Sequence, residues 1–282
     1  MELPENISLP FFAYGIFKKG QISFFRIKDY IEEIKPIFFK GQLLILDGLP
    51  MLDISNRDYS VKGDVLYFKA NSHNDAYKNI AALEPDSIYK WSIIETEYGK
   101  ANALICRHAG KGSVSDYGWD SWKDPLFSTI FELVEEELCK KREGSLEGKE
   151  FLRLQMTYML LWTAIERYVT LRYSLGNNGI MEKINHIAQE EAFLKGLSQS
   201  FLAHRKIYST AHSSDKFVFD INNPRKCIKY YYQVRSNITH RGKASFADEK
   251  LVRNVLTELT RIFKNMLREA KLASGYNEYS CY

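Results

Sequence analysis

Tyr230-Tyr231-Tyr232-Gln233-Val234-Arg235-Ser236-Asn237-Ile238-Thr239-His240-Arg241-Gly242 is the stretch that decides how this chain is read. It closes a helical pattern that starts at Pro224, and Gly242 is a credible terminator. Arg235 and His240 stand five positions apart. On an ideal helix that is about 500°, or about 140° around the axis, so the two do not share one face. Arg235 lies near the side marked by Ile228, Tyr231, Tyr232 and Ile238, while His240 points away from it. If both serve one target, the helix ends or distorts between them, or a second subunit completes the site. The plainer alternative is an arginine paired to a carboxylate of the bundle and a histidine capping the helix.

Working outward, helical periodicity governs everything after residue 124. Pro125 opens a segment through Leu138, at the early position proline favours. Residues 148–175, 179–191 with an extension toward His204, 224–240 and 246–272 supply four more. In the last, Leu251, Val252, Val255, Leu259, Ile262, Phe263 and Met266 recur at spacings of three and four, one apolar stripe. Before residue 110 the pattern is that of strands. Residues 9–14, 41–46, 65–68, 90–95 and 101–106 are β-branched or aromatic runs ending in Gly, Asp or Asn. Glu97-Tyr98-Gly99-Lys100 fits the turn between the last two, and short helices are expected over 26–34 and 74–82. Many short strands with few helices point to a closed or strongly curved sheet. The expected class is α+β: a small β-barrel domain over 1–110, a linker over 111–124, and an all-helical bundle over 125–275.

Composition narrows the classes. The chain has 282 residues, 45% hydrophobic and 14% aromatic, ample for two cores. No apolar run reaches membrane-spanning length and the N-terminus lacks the basic and apolar regions of a signal peptide, so a cytoplasmic protein without membrane contact is expected. Cys106, Cys139, Cys227 and Cys281 form no close pair, and no His/Cys/Asp cluster calls for a metal or other cofactor. The net charge of +4 is uneven. Residues 1–124 hold 15 Lys+Arg against 17 Asp+Glu, the remainder 24 against 18, and the stretch 205–243 alone nine against two. A phosphate backbone needs such a surface, although solvated faces can also be basic.

Two carboxylates stand out. Glu84, after Ala82-Leu83 and before Pro85, ends an apolar helical turn, where an inward carboxyl would have a raised pKa and act as a base; a solvated glutamate is the plainer alternative. Glu166 lies in an apolar stretch with Met159, Leu160, Val169 and Leu171 and needs a partner, which Arg235, His240 or a neighbouring Arg167 or Arg172 would supply. Near the N-terminus, Phe12-Ala13-Tyr14-Gly15-Ile16-Phe17 places a Tyr-Gly turn after the first strand. Its amides could converge on an anion; a plain strand-turn glycine is the alternative.

The order of features over the first 100 or so residues resembles the gamma-glutamylcyclotransferase-like family, a small barrel with flanking helices. That family binds a substrate carboxylate on a Tyr-Gly-Ser/Thr-Leu loop and uses a glutamate to take a proton from the glutamyl amine, which then closes 5-oxoproline. Tyr14-Gly15-Ile16-Phe17 matches the loop, Lys62-Gly63-Asp64 a Pro-Gly-Asp-like turn, and Glu84 the glutamate. Ile16 and Phe17 depart from the pattern: a hydroxyl donor is lost and bulk is added. The resemblance implies a site at Tyr14, Gly15, Ile16 and Glu84 and a small carboxylate ligand, held by a scaffold, a sensor or an enzyme.

Residues 125–272 resemble a HEPN domain, whose ribonuclease members carry Arg, four to six residues, then His late in a helical bundle. Arg235 to His240 fits with four residues between, and Glu166 matches the acidic residue of an early helix. The resemblance implies metal-independent cleavage of single-stranded RNA by Arg235, His240 and Glu166. It also implies homodimerisation through the helical half, which would resolve the 140° separation, and a toxin or antiviral role with an antitoxin or regulatory partner. In residue terms, His240 would exchange protons near neutral pH and Arg235 would hold a phosphate with a rigid fork. Asn237, Arg241 and Lys243 would add RNA contacts, and Tyr231 or a neighbouring tyrosine a stacking platform, with core packing the reading for at least two of the three. Two further readings stay open: a gamma-glutamyl cyclotransferase with a helical dimerisation domain, and a non-catalytic RNA-binding or interaction protein.

Overall fold

The computed structural model describes residues 1–46, 48–107, 112–115, 118–140, 148–173, 179–200, 205–209, 214–241 and 248–276, without the side chains of His240 and Arg241. The chain divides into two units. One is residues 1–124 with the chain from Leu171 at the end of a long helix and from Ala270 at the end of another; the second is the rest of 125–269.

The first unit is built on strands β1 (Phe11–Ala13), β2 (Ile31–Lys40), β3 (Gln42–Leu46), β4 (Leu49–Asp53), β5 (Ser60–Phe68), β6 (Tyr89–Thr96), β7 (Gly99–Cys106) and β8 (Ser113–Val114), with helix α1 at His73–Leu83. Five strands form one sheet in the order β2-β5-β1-β7-β6, and three form a second in the order β4-β3-β8. Short β1 is central, antiparallel to β5 and parallel to β7. Phe12, Ile37, Leu52, Val65, Ile94 and Ala103 turn inward from both sheets into one core. Such burial is the main stabilising term, about 1.5–3 kcal/mol for each large apolar side chain.

The expected barrel is not closed. β2 and β6 are the two edges of the five-stranded sheet, unpaired with each other among the described residues. Residues 37–40 and 93–96 of those edges instead line one open cleft. The helix expected over 26–34 is also absent. Two short 3-10 turns, Phe24–Arg26 and Lys28–Tyr30, lead into β2. Pro36 is tolerated within that strand because β2 lies at an edge. The stretch expected to be a linker, 111–124, contributes to the first unit. Val114 pairs with Leu44, and the fully buried Ser121 accepts from the Ile22 amide at 3.0 Å and donates to Gln21 at 2.8 Å.

The second unit holds α2 (Pro125–Cys139), α3 (Gly148–Tyr173), α4 (Ile180–Ile187), α5 (Glu191–Ser198), α6 (Pro224–Arg241) and α7 (Glu249–Ala273). Of the stripe read from the sequence on α7, Val252, Val255, Leu259, Ile262, Phe263 and Met266 are buried and Leu251 is half-buried. Gly196 is small because Ile262 packs on it; a Cβ there would lie 2.9 Å from the Ile262 side chain. The segment after Gly179 is two helices rather than one, since Glu190 adopts an extended backbone at their junction. A two-stranded antiparallel ribbon, β9 (Lys206–Tyr208) and β10 (Lys216–Val218), precedes α6 and packs against it. No helix among the described residues is long and apolar enough to cross a membrane.

Candidate functional site

The first unit carries a pocket where the end of β1 meets the end of α1. Tyr14, Gly15, Ile16, Phe17, Leu49, Pro50, Glu84 and Tyr89 are among its lining residues. Glu84 caps α1, its amide reaching back to the Ile80 carbonyl at 3.3 Å, and its extended backbone redirects the chain. Burial pushes its carboxyl up to about 8. It has no hydrogen bond or ion pair to a described residue, so nothing offsets the desolvation of its charged form. Burial also raises Tyr14 and Tyr89, and the Glu84 charge raises both further. Both phenols are committed to backbone: Tyr14 donates to the Leu104 carbonyl at 2.7 Å and Tyr89 to the Pro50 carbonyl at 2.8 Å.

The loop opposite is shaped by close packing. A Cβ on Gly15 would lie 2.8 Å from Pro50 Cγ, which is why glycine stands there. The amides of Gly15, Ile16 and Phe17 donate to no acceptor among the described residues. Consecutive unpaired amides beside a cavity are an anion-binding arrangement. Ile16 and Phe17 are themselves buried, and Phe17 packs edge-on against Phe11 at 6.3 Å. The free space left is about 20 Å³ for the centres of water-sized molecules, room for about one water. Lys62-Gly63-Asp64 lies inside β5 rather than at a turn. Gly63 lets the Phe12 ring cross the strand, since a Cβ there would sit 2.4 Å from it. Tyr89 and Pro50 carry no signal in the sequence that would single them out, and the strand holding Pro50 has no clear strand pattern.

In the second unit, α6 runs unbroken through Arg235, His240 and Arg241. No distortion of the helix brings Arg235 and His240 to one face, so the 140° separation stands within one chain. The side chains of His240 and Arg241 and the whole of Lys243 lie outside the described residues. Arg235 is partly buried, with its Nε enclosed and unbonded. Its guanidinium lies 5.5 Å from the centroid of the Tyr232 ring. It makes no hydrogen bond or ion pair with any described residue.

Three sequence expectations change here. Glu166 is partly buried on α3 but forms no ion pair with Arg235 or with any other described cation. The two helices meet instead through Trp162 and Tyr232, whose rings pack edge to face at 5.5 Å. Tyr231 is not a stacking platform. It is fully buried and donates its hydroxyl to the buried carboxylate of Glu258, which Ser200 also reaches at 2.6 Å. Asn237 is not free for phosphate either: its Nδ2 donates to the Tyr208 carbonyl at 2.9 Å, and its Oδ1 accepts from Gln233 at 2.7 Å. Glu258 is silent in the sequence because it sits inside the apolar stripe of α7, where only the tertiary partner on α6 explains a carboxylate.

No family model and no curated protein matches this chain. Among solved structures it is similar to an uncharacterized protein from Pyrococcus horikoshii, 20% identical, over 43% of this chain and 97% of that one, with a TM-score of 0.33.

Proposed function

We propose that this protein is a metal-independent endoribonuclease of the HEPN kind, acting on single-stranded RNA through Arg235 and His240. The observation that carries the reading is the unpartnered guanidinium of Arg235. An arginine kept for stability would bond a carboxylate or a carbonyl oxygen, as Arg261 does with Gly196 and Gln199. This one is half-enclosed, held over Tyr232 and left without a counter-ion among the described residues, in the most basic stretch of the chain. A phosphate supplies the missing anion.

In the reaction the 2′-hydroxyl of a nucleotide loses its proton and its oxygen attacks the adjacent phosphorus. The bond from phosphorus to the 5′-oxygen breaks, and that oxygen takes up a proton. The products are a 2′,3′-cyclic phosphate and a free 5′-hydroxyl. Arg235 stabilises the charge that grows on the non-bridging oxygens, and His240 moves the proton. Because α6 is continuous, Arg235 of one copy works with His240 of a second across a twofold axis. Toxin or defence activity under a regulatory partner fits an enzyme of this type.

The test is cleavage of single-stranded RNA in the presence of EDTA, with the product end identified. His240→Ala lowers the rate about 10²-fold or more. Equal cleavage by wild type, His240→Ala and Arg235→Ala would assign the activity elsewhere.

A second reading concerns the first unit and rests on Glu84 facing a loop of unpaired amides. Those amides suit a small carboxylate, and Glu84 suits the base of a gamma-glutamyl cyclotransferase. The narrow space beside Ile16 and Phe17 favours a sensor or scaffold over turnover. Formation of 5-oxoproline from γ-glutamyl dipeptides, lost in Glu84→Gln, would establish the enzyme instead.

A further inference from the structure

The β9–β10 ribbon has two unlike faces. Lys216 stands opposite Tyr208, Phe217 opposite Ile207 and Val218 opposite Lys206. Residues directly opposite in an antiparallel pair share a face, and residues two apart along a strand share it too. One face therefore presents Ile207 and Phe217. Ile207 is buried, so this is the inner face. The other presents Lys206, Tyr208 and Lys216, all exposed, with Tyr208 at 54%, and beside Lys206 the half-buried Val218.

The polar side-chain groups of that outer face have no partner among the described residues. Lys206 and Lys216 enter no ion pair, and the Tyr208 hydroxyl enters no hydrogen bond, among the described residues. Of the two acidic residues between 205 and 243, Asp220 is taken by Lys226 at 3.3 Å, and Asp215, exposed next to Lys216, accepts from the Ser214 hydroxyl at 3.4 Å and forms no ion pair with either lysine. The ribbon is also fixed in place. Asn237, between Arg235 and His240 in sequence, holds the Tyr208 carbonyl, and the Phe219 amide holds the Arg205 carbonyl at 2.8 Å. The backbone of Tyr208 is thus held against the turn of α6 that carries Asn237.

We propose that the outer face of this ribbon docks single-stranded RNA, with a base stacked on Tyr208 and phosphates held by Lys206 and Lys216. The inference rests on the ribonuclease reading of α6 and adds a place for the strand outside the reacting centre. An aromatic ring with one cation across from it and another two residues along its own strand matches a polymer that alternates flat bases with phosphates. Unpaired RNA offers a base face to such a ring, whereas a duplex keeps its bases stacked. An acidic polypeptide would use the lysines but leave the ring without a flat partner.

The experiment measures binding of the full chain to a labelled 2′-O-methyl single-stranded oligonucleotide, which cannot be cut through its 2′-oxygen, over a series of salt concentrations. Tyr208→Ala weakens binding about ten-fold or more, the effect of losing one stacked base, and Tyr208→Phe stays within about two-fold of wild type. The double variant Lys206→Ala/Lys216→Ala lowers the slope of log affinity against log salt by about 1.4, about 0.7 for each lost phosphate contact. Unfolding midpoints establish that each variant is folded. Wild-type affinity in Tyr208→Ala, equal damage in Tyr208→Phe, or an unchanged salt slope each overturns the proposal. Displacement of the oligonucleotide by polyglutamate at equal charge concentration overturns it in favour of an acidic polypeptide. Cleavage that needs Arg235 and His240, with binding unaltered by the ribbon variants, removes the ribbon site and leaves the ribonuclease reading. Ribbon-dependent binding without any cleavage does the reverse, and absence of binding by wild type overturns the ribbon site.

Discussion

The side-chain amide of Asn237 donates to the backbone carbonyl of Tyr208 at 2.9 Å, tying α6 to the ribbon before it. A residue two positions from Arg235, of a type that suits phosphate contact, is thus a structural latch. Asn237→Ala removes this bond and the one from Gln233. About 1 kcal/mol of stability is lost, and amide exchange accelerates in β9 and β10 while α6 stays protected. Hydrogen exchange resolved by segment checks this. Unchanged protection over 206–218 would mean that the ribbon is held by its apolar face alone.

Arg235 gives a paired test of activity and stability. With no ion pair to lose, Arg235→Ala costs at most about 1 kcal/mol, the worth of its placement over Tyr232. Breaking a buried pair would cost about 3–5 kcal/mol. Cleavage responds differently: Arg235→Lys keeps the charge but not the planar fork, and loses about ten-fold or more in rate. A large drop in unfolding midpoint with unchanged cleavage would make Arg235 a structural residue.

The legible parts of this fold are those set by local periodicity. The stripe of α7, the strands β3, β6 and β7, and the turn ending at Gly99 follow from residue order alone. Gly99, with φ +99°, takes the left-handed conformation that a glycine after Glu97-Tyr98 suggests. The parts that residue order hides depend on neighbours. β2 carries Pro36 and four charged residues, acceptable only because its outer side is an edge. Glu84 and the loop at Gly15 are legible as a carboxylate and a turn glycine, but Pro50 against Gly15 is not, because proximity across two sheets has no signature in either segment. The tyrosine run reads as one chemical unit. In α6 its members separate by about 100° per residue, so Tyr231 enters the core while Tyr232 remains half-exposed beneath Arg235.

Tyr231→Phe leaves the buried Glu258 carboxylate without its phenolic donor, with the Ser200 hydroxyl still at 2.6 Å. Leaving a buried acceptor short of a donor costs about 1–3 kcal/mol. Affinity for the non-cleavable oligonucleotide stays at the wild-type value, because the ring faces the core. Denaturant unfolding and the binding assay read the two effects separately. A loss of RNA affinity in a fully folded Tyr231→Phe protein would return this tyrosine to the surface role that the sequence suggests for it.

Glu84 contributes a pH dependence to the stability of the first unit, beside Asp64, whose carboxyl burial also raises. Burial raises the Glu84 carboxyl to about 8 in the folded chain, against about 4.3 when unfolded. Between those values the folded state retains a proton that the unfolded state has given up, so stability falls as pH rises through the interval and levels off above it. The full effect is roughly 4–5 kcal/mol, since each tenfold difference in proton affinity between the two states is worth about 1.36 kcal/mol. Glu84→Gln keeps the shape of the side chain and removes the titration. The variant and the wild type are therefore of similar stability near pH 4, and the variant gains steadily up to about pH 8. Unfolding midpoints of both proteins, measured across that range in one buffer series, isolate this group from the others that titrate. Parallel curves would mean that the carboxyl is solvated and ionised, which would remove Glu84 as a proton-holding group of the pocket and with it the chemical case for a base opposite Gly15, Ile16 and Phe17.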